Sequence, residues 1–139
     1  MEGEMSYGLG AYKKTSVQTA SKEQILLMLY QAAIKNCKKA IEAIEEQNIP
    51  KKGEYIGKMQ DIVVELSNSL DFEVGGDVAK ELASLYDYIL YASTQANIKI
   101  EKSHLEGCLK VLNTLYDGWT EAVKQLKAQT PVTTPSKSA

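Results

Sequence analysis

Residues Gln60 to Ala96 read QDIVVELSNSLDFEVGGDVAKELASLYDYILYASTQA. Before the glycine pair, Ile62, Val63, Leu66 and Leu70 recur at the i, i+3, i+4, i+7 spacing of one helix face. After it, Val78, Leu82, Leu85, Tyr86, Ile89, Ser93 and Ala96 do the same. Gly75 and Gly76 break the chain between the two patterns. Asp77 then complements the positive end of the helix dipole that follows. Two helices joined by a tight turn must run antiparallel.

The same period extends outward in both directions. The upstream helix reaches back to about Pro50, adds Ile56 and Met59 to its stripe, and accepts the proline in its first turn, where a missing N–H costs nothing. Gly53 and Gly57 weaken those turns by about 1 kcal/mol each relative to Ala. The downstream helix ends near Lys99. A first helix is expected over Lys22 to Gln47, with Ile25, Leu29, Ala32, Ala33, Ala40 and Ile44 on its stripe and Ser21 with Gln24 as a capping box. A fourth is expected over His104 to Lys127, with Leu105, Cys108, Leu109, Leu112, Leu115, Trp119, Val123 and Leu126 inward. Ser103 with Glu106 caps its start, and Lys124 and Lys127 suit its end. Each helix would be roughly 30–39 Å long. The fold class is all-α: an antiparallel up-down four-helix bundle over residues 21–127. Residues 1–20 lack a clear helical period and form a weakly structured N-terminal segment. Residues 128–139, with Pro131 and Pro135, read as a mobile tail.

Composition narrows the function. The chain has 139 residues and a net charge of −2, so it lacks the basic surface from which a general nucleic-acid binder draws affinity. All 16 basic residues are Lys. Without Arg there is no planar fork to grip phosphate or guanine in a bidentate way. Cys37 and Cys108 form no C-x-x-C pattern and suit a reducing compartment. Met1 to Gly10 does not look like a secretory signal, and no run approaches the ~20 apolar residues that span a bilayer. A cytoplasmic protein without stable membrane insertion is expected.

Candidate chemistry is sparse. Glu101 and His104 spell Glu-x-x-His, half of a di-iron bundle site, but a full site needs a second such pair and His104 is the only histidine. A histidine phosphotransfer domain is also a four-helix bundle, but its His sits mid-helix, whereas His104 opens a helix. The simpler reading of His104 is a first-turn surface residue. Asp71, Glu73 and Asp77 resemble a calcium loop, yet the position that needs a bidentate Glu is Leu82. An acidic interhelix turn is the better account. Cys37 and Cys108 lie on or beside apolar stripes and read as small core residues. No catalytic constellation, metal set or cofactor loop emerges, so an enzyme is not expected.

The aromatic residues say more. There are eight Tyr against one Phe and one Trp. Tyrosine suits surfaces that are wet when free and covered when bound. Tyr86 falls on a core stripe. Tyr88 lies off it, Tyr91 points nearly the opposite way, and Ile98 shares that outer side. Val64 points outward on the second helix, and Met28 and Ile34 lie on opposite flanks of the first helix's stripe. Together they mark apolar ground beyond one core, as a partner-binding surface would. Grooves between helices receive amphipathic helices.

These residues carry a resemblance. Gln60 to Ala96 is similar to the FliS family run of Q-x-I-(I/V)-x-E-L-x-x-S-L-D, a Gly-Gly turn, then L-x-x-L-Y-(D/E)-Y, with Asn97 completing an Ala-Asn pair. Met28-Leu29-Tyr30-Gln31-Ala32-Ala33 resembles the family's M-L-Y-E-G-A, and Leu115 to Trp119 its L-x-x-x-W. Gln31-Ala32 replaces the commoner Glu-Gly, and the L-x-x-x-W element lacks the frequent Arg. The N-terminal tyrosine element corresponds to Tyr7 or Tyr12. The resemblance spans Tyr7 to about Leu126. It implies a flagellar export chaperone that binds the disordered C-terminal segment of flagellin in the cytosol. It further implies delivery of that client to the flagellar export gate, with no nucleotide, metal or other cofactor. The expected partner-binding set is Tyr7, Tyr12, Met28, Tyr30, Ile34, Val64, Leu66, Tyr88, Tyr91 and Ile98, of which Leu66 also belongs to a core stripe. Residues 1–20 would pack over part of this surface when it is free. The same outer ground would suit a weak homodimer. The alternatives are a helical adaptor for another client and phosphotransfer through His104.

Overall fold

A computed structural model of the chain describes residues 21–138, with side chains described as far as residue 128. Four helices follow in order: α1 (Lys22–Glu45), α2 (Ile49–Asn68), α3 (Phe72–Lys99) and α4 (Lys102–Ser138). They pack in ring order, α1 on α2 and α4, and α3 on α2 and α4. Turns of two or three residues join them, so the bundle is up-down and antiparallel.

The boundaries of the first three helices have local causes, whereas α4 starts at Lys102, so the expected cap residue Ser103 lies inside it. Ser21 Oγ accepts from the Gln24 N–H and Gln24 Oε1 accepts from the Ser21 N–H, both at 3.2 Å, which completes the expected capping box. Asn48 caps α2 by accepting from the Lys51 N–H at 3.2 Å, with Pro50 in the first turn as expected. The turn after α1 closes when the Asn48 N–H reaches back to the Ala43 carbonyl at 2.8 Å, with Gln47 in the left-handed region at φ 58°. Ile100 does the same after α3 at φ 55°, with the Glu101 N–H on the Ala96 carbonyl at 3.3 Å.

Helix α3 starts earlier than its sequence pattern indicates. Asp71, not Asp77, is the cap: its carboxylate accepts from the N–H groups of Glu73 and Val74 at 3.0 and 3.1 Å. The glycine pair therefore lies inside the helix as a kink rather than ahead of it. Gly76 takes φ 52°, ψ −125°, a conformation open to glycine and costly for other residues. The carboxylate of Asp71, weighed above as a calcium ligand, serves this cap.

The core is one cluster contributed by all four helices. Its largest fully buried side chains include Tyr30, Ile56, Met59, Ile62, Leu66, Tyr86, Ile89, Leu105 and Leu112. Each buried aliphatic side chain stabilises the fold by roughly 1.5–3 kcal/mol. Two positions expected inward are not. Val78 is 61% exposed, because it stands in the first turn after the kink, at the end of the bundle, and Ala79 is buried in its place. Leu126 is exposed and lies beyond Val123, the last buried residue of α4 among the described side chains.

Polar groups stitch the helices together. Gln60 Nε2 on α2 donates to Ser93 Oγ and Thr94 Oγ1 on α3, at 2.8 and 3.0 Å. Lys52 is buried, and its ammonium donates to the Asn97 carbonyl at 2.8 Å in the last turn of α3. A cation there satisfies a terminal carbonyl and complements the helix dipole. Cys37 Sγ donates to the Leu105 carbonyl at 3.4 Å and Cys108 Sγ to the Ile89 carbonyl at 3.6 Å. Burial pushes both thiols up to about 12, with the neighbouring Cys108 adding to the effect on Cys37.

Candidate partner-binding surface

Helix α3 carries two stripes. Tyr86, Ile89, Ser93 and Ala96 face inward and are buried. Tyr88, Tyr91 and Ile98 face outward, at 43%, 66% and 69% exposure. Their spacing, with Gln95 between, is 3, 4 and 3 residues, which keeps them on one line along the helix. Val64 on α2 is also exposed. Gln60 and Val64, one turn apart on α2, lie on the side that meets α3.

Tyr88 has a specific seat. Its hydroxyl lies 2.5 Å from where a β-carbon on Gly107 of α4 would stand, and its Cζ lies at 3.8 Å. The phenol thus leans across the α3–α4 groove with its tip on the glycine. Tyr91, nearly opposite the core, stands in solvent.

Three residues of the expected set lie in the core instead. Tyr30 is fully buried, and so is Leu66; Ile34 is buried beside them. The inward face of α1 is wider than its aliphatic stripe, since Tyr30, Ala33, Ile34 and Cys37 are all inside at helical spacing. Tyr30 meets Tyr86 of α3 hydroxyl to hydroxyl and accepts the Trp119 indole N–H of α4 at 3.2 Å. Burial raises the ionisation of both phenols above the usual tyrosine range, and Tyr86 is raised further by Tyr30. Beside this network Gln31 Nε2 donates to the Tyr116 hydroxyl at 2.8 Å. The M-L-Y element of α1 and the L-x-x-x-W element of α4 are therefore two halves of one buried contact. Met28 is half-buried. Tyr7 and Tyr12 lie outside the described residues.

Sequence reading missed other apolar ground. Phe72 and Val74, in the turn between the Asp71 cap and the Gly76 kink, are exposed, as are Ile49 and Ile100 at the opposite end of the bundle. It also missed Gly107, since a lone helical glycine carries no signal until its neighbour is known. His104 is half-buried in the first turn of α4 and pairs with Glu101 at 3.3 Å. Among the described residues no group of three or more His, Cys, Asp or Glu is arranged to hold a metal ion, and no helix is long and apolar enough to cross a membrane.

Residues 5–126 match the family model described as flagellar protein FliS. The chain belongs to this family. A flagellar secretion chaperone FliS of Vibrio cholerae is 37% identical over 121 residues, covering 84% of this chain and 89% of its own length. The flagellar secretion chaperone FliS of Bacillus subtilis is 31% identical over 114 residues, covering 82% and 84%. A solved structure described as a flagellar chaperone from bacteria matches with a TM-score of 0.70 over 86% of this chain and 98% of its own. At 21% identity that likeness speaks for the fold alone.

Proposed function

We propose that this chain is a flagellar export chaperone whose client is the C-terminal segment of flagellin. It holds that segment in the cytosol, prevents premature polymerisation and presents it to the flagellar export gate. The observation that carries this reading is the exposed row of Tyr88, Tyr91 and Ile98 on α3, with Val64 exposed on the neighbouring α2, on a bundle of the FliS family. A row with heptad-like spacing fits a partner helix laid along α3. A client that is disordered when free loses entropy as it folds onto the bundle, and burial of its apolar face offsets that cost. Residues 1–12, with Tyr7 and Tyr12, cover part of the surface in the free protein and give way to the client. Deleting them changes the affinity or the on-rate for the flagellin tail.

Isothermal titration with the cognate flagellin C-terminal peptide, followed by circular dichroism of the mixture, tests the reading. One-to-one binding with a gain in helix is expected. A folded protein that does not bind the peptide at micromolar concentrations would return the bundle to the class of adaptors for another client.

A further inference from the structure

Gly107 differs from the other helical glycines in crowding a side chain of another helix; at Gly75 a β-carbon would stand 2.8 Å from the Ala79 Cβ of its own helix. A β-carbon added at Gly53, Gly57 or Gly118 would meet nothing within 4 Å, whereas at Gly107 it would stand 2.5 Å from the Tyr88 hydroxyl. Glycine weakens a helix interior relative to alanine, and Gly107 lies in the second turn of α4. The backbone beneath is tightly held: Leu105 and Cys108 are buried, and Cys108 Sγ reaches the Ile89 carbonyl of α3. The side chain at position 107 thus decides where the Tyr88 ring can lie.

We infer that Gly107 is a positioning residue of the client-binding surface, acting through Tyr88; this rests on the client reading above. The bare backbone lets the phenol tip settle on α4. The ring is then held across the α3–α4 groove, and its exposed edge lies a single helical turn from Tyr91. A β-carbon evicts the tip and turns Tyr88 into a solvent-facing rotamer. The client would then have to reorder the ring on binding, at a cost in affinity. The conflict is with the hydroxyl alone, since Cζ at 3.8 Å is an ordinary contact. Removing that one oxygen therefore restores room for the β-carbon.

The test is a cycle of Gly107→Ala, Tyr88→Phe and the double variant, measured by titration with the cognate flagellin C-terminal peptide and by thermal melting. Gly107→Ala is expected to raise Tm by roughly 2–5 °C through helix propensity. The same change should weaken peptide binding by about fivefold to tenfold, the scale of one immobilised side chain. In the Tyr88→Phe background it should leave affinity within about twofold. Opposite signs for stability and affinity, with rescue by Tyr88→Phe, are what a purely structural role does not produce. Equal loss of affinity in both backgrounds, or none in either, overturns the inference and leaves the client reading standing. Failure of the unmodified protein to bind the peptide overturns both.

Discussion

Replacing Tyr30 by Phe probes the centre of the bundle with the smallest available change. The Tyr30 hydroxyl accepts from Trp119 at 3.2 Å and is hydrogen-bonded to the Tyr86 hydroxyl, so it joins three helices through one oxygen. Removing it loses two hydrogen bonds, each worth about 1 kcal/mol net. It also strands the Tyr86 hydroxyl, which at 1% exposure cannot turn to bulk solvent. An orphaned buried polar group adds about 1–3 kcal/mol, so Tyr30→Phe should cost about 3–5 kcal/mol. Tyr86→Phe should cost only about 1 kcal/mol, because Trp119 keeps its acceptor on Tyr30. The double variant should cost no more than Tyr30→Phe alone, since it removes the stranded hydroxyl as well. Urea unfolding followed by the fluorescence of Trp119, the only tryptophan, measures all three. Equal costs for the two single variants, or strict additivity in the double, would refute the shared-oxygen network.

Three further outcomes are expected. Tyr91→Ala should weaken binding of the flagellin tail by about tenfold or more while moving stability by less than about 0.5 kcal/mol, because the side chain is mostly in solvent; titration and melting of the same variant check it, and a large stability loss would make Tyr91 a member of the core. Stability should fall between about pH 9 and pH 12. Cys37 and Cys108 have folded pKa values pushed up to about 12 by burial, above the unfolded thiol value. Their contribution is complete below the unfolded pKa and is lost as pH rises towards the folded one, at about 1.4 kcal/mol per pH unit per thiol. Chemical unfolding across that range should show a flatter alkaline limb for Cys37→Ala with Cys108→Ala. Ile100→Gly should stabilise the protein by about 0.5–1 kcal/mol, because a β-branched residue at φ 55° is strained and glycine is not; no change in the urea midpoint would contradict that strain.

The four helices were legible because each buries a stripe wide enough to repeat over five or six turns. Caps at Ser21 and the proline at position 50 added local signals that point the same way. What the pattern misplaced has a common cause. A helical period tells which side faces inward but not how far the neighbours extend, so Val78 and Leu126 were counted with stripes although both are exposed. Phase alone also made Ile34 look like a flank residue, and Tyr30, expected at the partner surface, lies in the core where Tyr86 and Trp119 meet it from two other helices. Asp71 was passed over as a cap because the glycine pair appeared to end the turn, whereas Gly76 bends the helix without ending it. At the candidate surface, Tyr88, Tyr91, Ile98 and Val64 were readable as residues out of phase with the core. Gly107 was not, because its meaning depends on a contact between helices.

The division of α3 into two faces separates the proposed client surface from the packing that holds the bundle together. Its inner row, Tyr86, Ile89, Ser93 and Ala96, is closely packed, and even one methylene is felt there. Its outer row is offset around the same helix, and its side chains end in solvent. Substitutions in the outer row can therefore change what is bound at little cost to folding, while those in the inner row change folding first. Position 88 is the exception that links the two. Its ring belongs to the outer surface, but its tip is set by the α3–α4 packing through Gly107. A shift of α4 against α3 would move Tyr88 and leave Tyr91 and Ile98 in place, because those two project from α3 alone. Affinity for the client should thus depend on α3–α4 packing through one aromatic residue, and on the other two only through their own exposed surface.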